Sequence, residues 1–524
     1  MRDFHMPGRS VVHATNGMCA TSHPLAAKVA VTMMESGGNA VDAAIAGALV
    51  LGICEPQMTG IGGDCFALVA LPGDGGIVGL NGSGRAPAGL EAAAIRDAGH
   101  DVMPEYQNAA SVTVPGAIDG MLKLHGAHGR RDLDAVLAPA IKYAEDGVPV
   151  APRVGFDWAS SAAGLTGAAA RHFLVGGAAP RVGQIFRTPG QAEVLRRIAR
   201  DGRDAFYTGE VAEDMIAALV GAGGCHNLSD FAATSADWVT PIHGRYGEHD
   251  LIELPPNGQG ATAILMANIL AEFDVAAMDP WGADRAHLEA EAAKLAYDAR
   301  NRFIAETAPR LDHMLSADTA RRLAGLIDMG RAMPSATKIS EAVHKDTIYI
   351  TTVDGDGMAV SLIYSIFHSF GSRIASEKFG ILFQNRGAGF TLQPGHPNEA
   401  GGGKRPMHTI IPAMLRQAGR VTMPFGVMGG AYQPNGHARF LTNIADFGLD
   451  PQAAIDAPRS FATDGEMQVE RGYGADVRAE LLARGHRVVV PDGPLGGAQA
   501  ILIGADGVLT GASDPRKDGI ALGY

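Results

Sequence analysis

The stretch that decides the fold is His344-Lys345-Asp346-Thr347-Ile348-Tyr349-Ile350-Thr351-Thr352-Val353-Asp354-Gly355-Asp356-Gly357. A run rich in proline and polar residues, Pro334 to Lys345, gives way at Thr347 to an alternating, β-branched strand. Asp354-Gly355-Asp356-Gly357 is a hairpin signal, and Met358 to Phe367 is a second strand-like run. With a loop of about three residues, Val353 pairs with Ala359, and the same register sets Ser365 opposite Thr347. Cross-strand partners stand only about 5 Å apart. Two hydroxyls at the mouth of a buried hairpin, just after an exposed peptide bond, suit a nucleophile hidden until the chain is cut. On this stretch alone, an ordinary strand threonine is the plain alternative.

The surroundings are those of a large folded enzyme-sized chain. Its 524 residues allow two to four domains or one large α/β unit, and 46% hydrophobic with 19% charged content supplies an ample core. The 69 glycines follow no period, so they mark tight turns and close backbone approaches. A formal net charge of −13, with no offsetting basic cluster, argues against nucleic acid or an anionic membrane as partner. Met1 to Arg9 lacks the apolar core of a secretory signal, and Ala43 to Cys54 is too short to span a bilayer. A soluble, cytoplasmic protein is expected. Cys19, Cys54, Cys65 and Cys225 show no CxxC or Cys/His spacing and are expected to be buried free thiols, so neither metal nor cofactor is anticipated.

Taken in order, Val11 to Ala20 reads as a strand, followed by a helix that Ser22 or a neighbour caps, with Pro24 in its first turn. Asn39 opens an Ala-rich helix that is apolar on nearly every side and so belongs between layers. Gly60-Ile61-Gly62-Gly63 precedes an apolar strand without the spacing or lysine of a phosphate loop, so it reads as close packing. Leu80 to Pro87 ends a strand in a loop carrying Arg85. Helices follow Val114-Pro115-Gly116, and residues 150–330 read as largely helical, with Gly330 to Asp346 as an exposed linker. Gly429-Gly430-Ala431-Tyr432-Gln433-Pro434 follows a strand and opens a helix; paired glycines there let backbone N–H groups approach a reacting atom. GxSxG, HExxH and Walker A patterns are absent from the sequence.

Together, Ser22-His23-Pro24-Leu25-Ala26, Gly38-Asn39-Ala40-Val41-Asp42-Ala43-Ala44, Gly60-Ile61-Gly62-Gly63, Asp346-Thr347, Lys404-Arg405-Pro406, Gly429-Gly430 and Gly511-Ala512-Ser513-Asp514-Pro515-Arg516 resemble the γ-glutamyltransferase family in order and spacing. The resemblance runs from about residue 10 to Tyr524. It implies an N-terminal-nucleophile hydrolase with a four-layer αββα sandwich, made as one precursor that cuts itself. The implied cut lies between Asp346 and Thr347, giving a large fragment of residues 1–346 and a small one of residues 347–524 that stay together as a heterodimer, with pairing of two heterodimers left open. Thr347 is then the nucleophile, Ser365 its hydroxyl partner, and Gly429 and Gly430 the oxyanion glycines.

Departures from the family pattern bear on the substrate. Where γ-glutamyl enzymes grip an α-carboxylate with arginine, this chain has Ser83; their asparagine after the second hydroxyl is Phe367, their ammonium-binding aspartate is Gly389, and their paired serines are His408 and Thr409. Each lost charge-assisted contact costs on the order of 2–5 kcal/mol, enough for two to abolish selectivity for a zwitterionic γ-glutamyl group. The pattern is similar instead to the amidohydrolase branch, which includes oxamate amidohydrolase and some cephalosporin acylases. Arg85, Arg386, His408, Thr409, Phe367 and Tyr432 are the expected substrate-binding residues for a small amide bearing one carboxylate. A γ-glutamyl hydrolase acting on glutathione and a catalytically inactive scaffold are the alternatives.

Overall fold

A computed structural model describes residues 5, 8–73, 75–334, 347–463 and 465–524. Asp346 and most of the expected linker lie outside the described residues.

The hairpin forms as its sequence dictates. Ile348–Val353 pairs antiparallel with Ala359–Ser365, Val353 facing Ala359, and Gly357 takes the positive φ (+86°) that its turn requires. Asp354 Oδ1 accepts the N–H groups of Asp356 and Met358 at 3.0 Å each, closing the loop. The hairpin is the middle of a seven-stranded sheet ordered Ile520–Gly523, Met18–Thr21, Ile348–Val353, Ala359–Ser365, Asp64–Ala70, Ile77–Gly82, Asp237–Val239. A second seven-stranded sheet runs Val12–Ala14, Leu509–Ser513, Gly497–Ile503, Arg420–Met428, Ala413–Gln417, His249–Glu253, Ile242–Tyr246.

Alternation along each strand gives each sheet two apolar faces. Tyr349, Ile363, Phe66 and Leu68 of the first sheet meet Met414, Met428, Ile252 and Ile501 of the second. Ile348, Ile350, Leu362 and Tyr364 point the other way, onto helices Pro24–Glu35 and Ala40–Cys54. The second sheet's outer face carries helices Gly260–Leu270, Ala283–Phe303 and Gln433–Ala445. The order is therefore helix, sheet, sheet, helix, the expected αββα sandwich. Every residue of Ala40–Cys54 is buried, and Asn39 and Asp42 form a reciprocal capping box at its start. His23 caps the preceding helix, with Pro24 as its first residue.

Three expectations are corrected. Val11 to Ala20 is two strands, Val12–Ala14 and Met18–Thr21, one in each sheet; the chain turns between them, and Asn16 N–H bonds the Tyr524 carbonyl at 2.8 Å. Residues 237–253 are three strands rather than helix, because Ile242, Gly244 and Tyr246 alternate with outward His243 and Arg245 before a turn at Gly247 (φ +54°). Cys225 is exposed, unlike buried Cys19, Cys54 and Cys65. No described helix is long and apolar enough to cross a membrane.

Candidate active site

Thr347 immediately precedes the first paired residue of its strand, and the register carries it opposite Ser365. Thr347 Oγ1 donates to Ser365 Oγ at 3.4 Å; the same oxygen accepts from Phe367 N–H at 2.9 Å and from Arg386 Nη2 at 3.2 Å. Both hydroxyls share the parity of Tyr349 and Ile363, so they face the space between the sheets. The row continues across the sheet, for Ser365 pairs with Asp64, and the Cys65–Gly82 pair sets Ser83 next along.

The other half of the site comes from the second sheet. Its strand Arg420–Met428 ends at Gly429 (φ +122°) and Gly430 (φ +55°), which turn the chain into helix Gln433–Ala445. Only glycine adopts both values cheaply. A Cβ on Gly429 would also stand 3.0 Å from Gly496 Cα. Gln259 pins this turn: its Nε2 donates to the carbonyls of Gly430 (3.0 Å) and Thr409 (2.7 Å), while its Oε1 accepts from Arg300 Nη1 at 3.0 Å. Thr347, Gly429 and Tyr432 line one cleft of about 740 Å³. Hairpin hydroxyl and glycine turn thus share a solvent-accessible space.

The remaining expected residues take other positions. Arg386 is buried beneath Thr347 and Ser365: Nη1 donates to Thr409 Oγ1 at 2.8 Å, and the guanidinium lies 4.1 Å from the centroid of the Phe367 ring. Phe367 is itself held at φ +79°. Arg386, Thr409 and Phe367 therefore form a packed support around Ser365 and do not line the cleft. His408 is buried too; Nε2–H donates to Asp64 Oδ2 at 3.1 Å, and Nδ1 accepts from Ile410 N–H. Burial, then the nearby Arg386 cation, pushes its pKa down to about 3, so the ring is neutral. Arg85 lies at the surface, paired with Glu306 and Asp237 and bonded to the Gly403 carbonyl. Ser83 donates to Asn81 Oδ1 at 2.7 Å, and a Cβ at Gly389 would stand 2.5 Å from the Met407 carbonyl oxygen, leaving no room for an acidic side chain.

Several residues escaped the reading of the sequence. Asp64 Oδ1 gathers Gly84 N–H (2.8 Å), Gly116 N–H (3.2 Å) and Gln384 Nε2 (2.9 Å), tying three loops behind Ser365. Its signal was present, for it directly follows Gly60-Ile61-Gly62-Gly63, and a Cβ on Gly63 would stand 2.3 Å from the Ser365 carbonyl oxygen. Lys517 lines the cleft with Thr347, one residue beyond Arg516 of the closing motif. Its Nζ lies 3.5 Å from Met58 Sδ, and it faces Glu55, whose carboxyl burial pushes up to about 7 against the pull of that ammonium. Arg153 also lines the cleft but is already paired with Asp157 at 2.8 Å.

Known proteins resemble this chain over its whole length. The structure superimposes on a crystal structure of cephalosporin acylase from Bacillus halodurans with a TM-score of 0.92 and 38% identity, covering 100% of this chain and 99% of the other. Two curated relatives are each 33% identical over 98% of this chain and 99% of their own length: the glutathione hydrolase-like YwrD proenzyme of Bacillus subtilis (strain 168) and the oxamate amidohydrolase proenzyme of Klebsiella pneumoniae. A family model described as gamma-glutamyltranspeptidase matches residues 26–524, and on that match and those likenesses this chain belongs to the gamma-glutamyltranspeptidase family of N-terminal-nucleophile hydrolases.

Proposed function

We propose that the chain cuts itself between Asp346 and Thr347 and then hydrolyses the amide bond of a small, carboxylate-bearing acyl compound. In the precursor, Thr347 Oγ1 adds to the Asp346 carbonyl and the Thr347 nitrogen is expelled, giving an ester that water hydrolyses. The freed α-amine has a reference pKa near 7.7–8.0, so it serves as general base at neutral pH. Thr347 Oγ1 then attacks the substrate carbonyl, the oxyanion lies against the N–H groups of Gly429 and Gly430, the amine departs protonated, and water resolves the acyl-enzyme.

The observation that carries this reading is that Thr347 and Gly429 line one cleft while Ser365 stands 3.4 Å from the nucleophilic oxygen. Association after cleavage follows from the sheet order, since the hairpin lies between Met18–Thr21 and Asp64–Ala70, both from the large fragment. For the substrate carboxylate we favour Lys517, the cleft-lining cation whose neighbouring acid, Glu55, titrates near neutrality. Arg386 then has a positioning role on Ser365. The absence of charged groups at Ser83 and Gly389 favours this substrate class over γ-glutamyl compounds.

The test is a side-by-side assay, on verified cleaved protein, of oxamate, acyl amides with and without a carboxylate, γ-glutamyl anilide and glutathione. Turnover confined to the γ-glutamyl compounds would establish the second reading, a γ-glutamyl hydrolase or transferase. A wild-type chain that stays uncut and inert would point to a scaffold.

A further inference from the structure

The cleft has a wall made by the three-stranded sheet Ser460–Thr463, Glu466–Val469 and Val488–Val489, whose Phe461, Thr463, Gln468 and Val489 face the cavity. Its other face, through Met467 and Val469, packs on helix Ala283–Phe303 at Ala286 and Ala290. Behind this wall His287 and Glu291, one helical turn apart, meet His486 from the far fragment. All three are buried, and one ligand atom from each lies within 4.8 Å of the others.

The local bonding orients His287 as a metal ligand. His287 Nε2 donates to the Asp328 carbonyl at 2.9 Å, which leaves the lone pair on Nδ1, where it accepts the His486 Nε2–H at 2.7 Å. An imidazole whose second nitrogen is held by a carbonyl has the orientation and tautomer of a metal ligand. Glu291 supplies a carboxylate and hence charge balance. We propose that His287, Glu291 and His486 form a binding site for a divalent transition metal, Zn²⁺ by its ligand chemistry, that joins the two fragments behind the cleft wall. Two imidazoles and one carboxylate suit zinc rather than magnesium or calcium, with water at the fourth position.

Three adjustments are needed. His486 must carry its proton on Nδ1 instead of Nε2, and the imidazole nitrogens must separate to about 3.3 Å, the spacing in a tetrahedron with Zn–N bonds of 2.0–2.1 Å. Glu291 Oε1 now accepts from Lys294 Nζ at 2.6 Å, so the metal must displace that ammonium, while Oε2 keeps its bond to Met333 N–H at 2.8 Å. Lys294 is therefore a built-in competitor. Because Met333 lies near the end of the described large fragment, the bound ion would also fasten that end to the small fragment.

Tag-free, processed protein stripped with chelator tests this by titration calorimetry with Zn²⁺ and by the visible spectrum of its Co²⁺ form. One equivalent should bind with tetrahedral cobalt bands, and His486→Gln or Glu291→Gln should weaken binding at least tenfold. Lys294→Met should bind several-fold more tightly, because the competing ammonium is gone. Failure of the wild type to take up either ion overturns the site, as does unchanged affinity in a folded His486→Gln protein. If the histidine variant does not fold, Lys294→Met decides alone, and affinity equal to or below that of the wild type refutes the proposal.

Discussion

Arg386 Nη2 stands 3.2 Å from Ser365 Oγ, and that oxygen is also the acceptor for Thr347 Oγ1. A fully buried guanidinium is thus linked to Thr347 through one shared hydroxyl. The pattern makes Ser365 a relay of position: it anchors a cation on one side and orients the threonine on the other.

Thr347→Ala should leave one band near 54.3 kDa on a denaturing gel where the wild type gives two. Turnover should fall by a factor on the order of 10⁶, as for other removed nucleophiles. Two bands from the variant would place the cut elsewhere.

Ser365→Ala removes the acceptor shared by Arg386, Thr347 and the Phe367 N–H. We expect processing and turnover to slow by about 10–100-fold, and stability to drop by about 1–3 kcal/mol from the lost bond to a buried charged donor. Gel time courses and denaturant melts measure the two effects separately.

Lys517→Met keeps the stem that packs along Gly497 and removes the charge. KM should rise tenfold or more for carboxylate-bearing amides and change little for neutral ones. Equal effects on both would remove Lys517 from substrate recognition.

Stability should depend on pH through two buried groups of opposite sign. Glu55 has its pKa raised from 4.5 to about 7, so the folded state holds a proton that the unfolded chain has released; its contribution is present below pH 4.5 and is lost as pH rises through 7. His408 has its pKa lowered from 6.5 to about 3, so its contribution is present above pH 6.5 and is lost as pH falls toward 3. Thermal melts of Glu55→Gln should lose the decline between pH 4.5 and 7, and those of His408→Gln the acid-side decline. Unaltered profiles would show that other groups control them.

Much of the site was legible because it follows from local rules. The abrupt strand at Thr347, the Asp354-Gly355-Asp356-Gly357 turn and a side-chain period of two residues are enough to pair Thr347 with Ser365. Asn39 and Asp42 announce their helix by capping chemistry, and the paired glycines announce a turn that other residues cannot make. These are properties of a few adjacent residues.

Which cation meets solvent is not such a property. Arg85, Arg386 and Lys517 carry the same charge in sequence, yet the fold leaves one in surface ion pairs, seals one against Ser365 and Thr409, and sets one in the cleft wall. Likewise, nothing local to Asp64, Gln259 or His486 says that each meets residues more than a hundred positions away. By itself the sequence determined the hairpin, its register and the glycine turn, because those depend on backbone geometry over short spans. Only the tertiary structure decided which groups Thr347 shares its cleft with, because burial and charge pairing depend on how two sheets built from distant parts of the chain pack face to face.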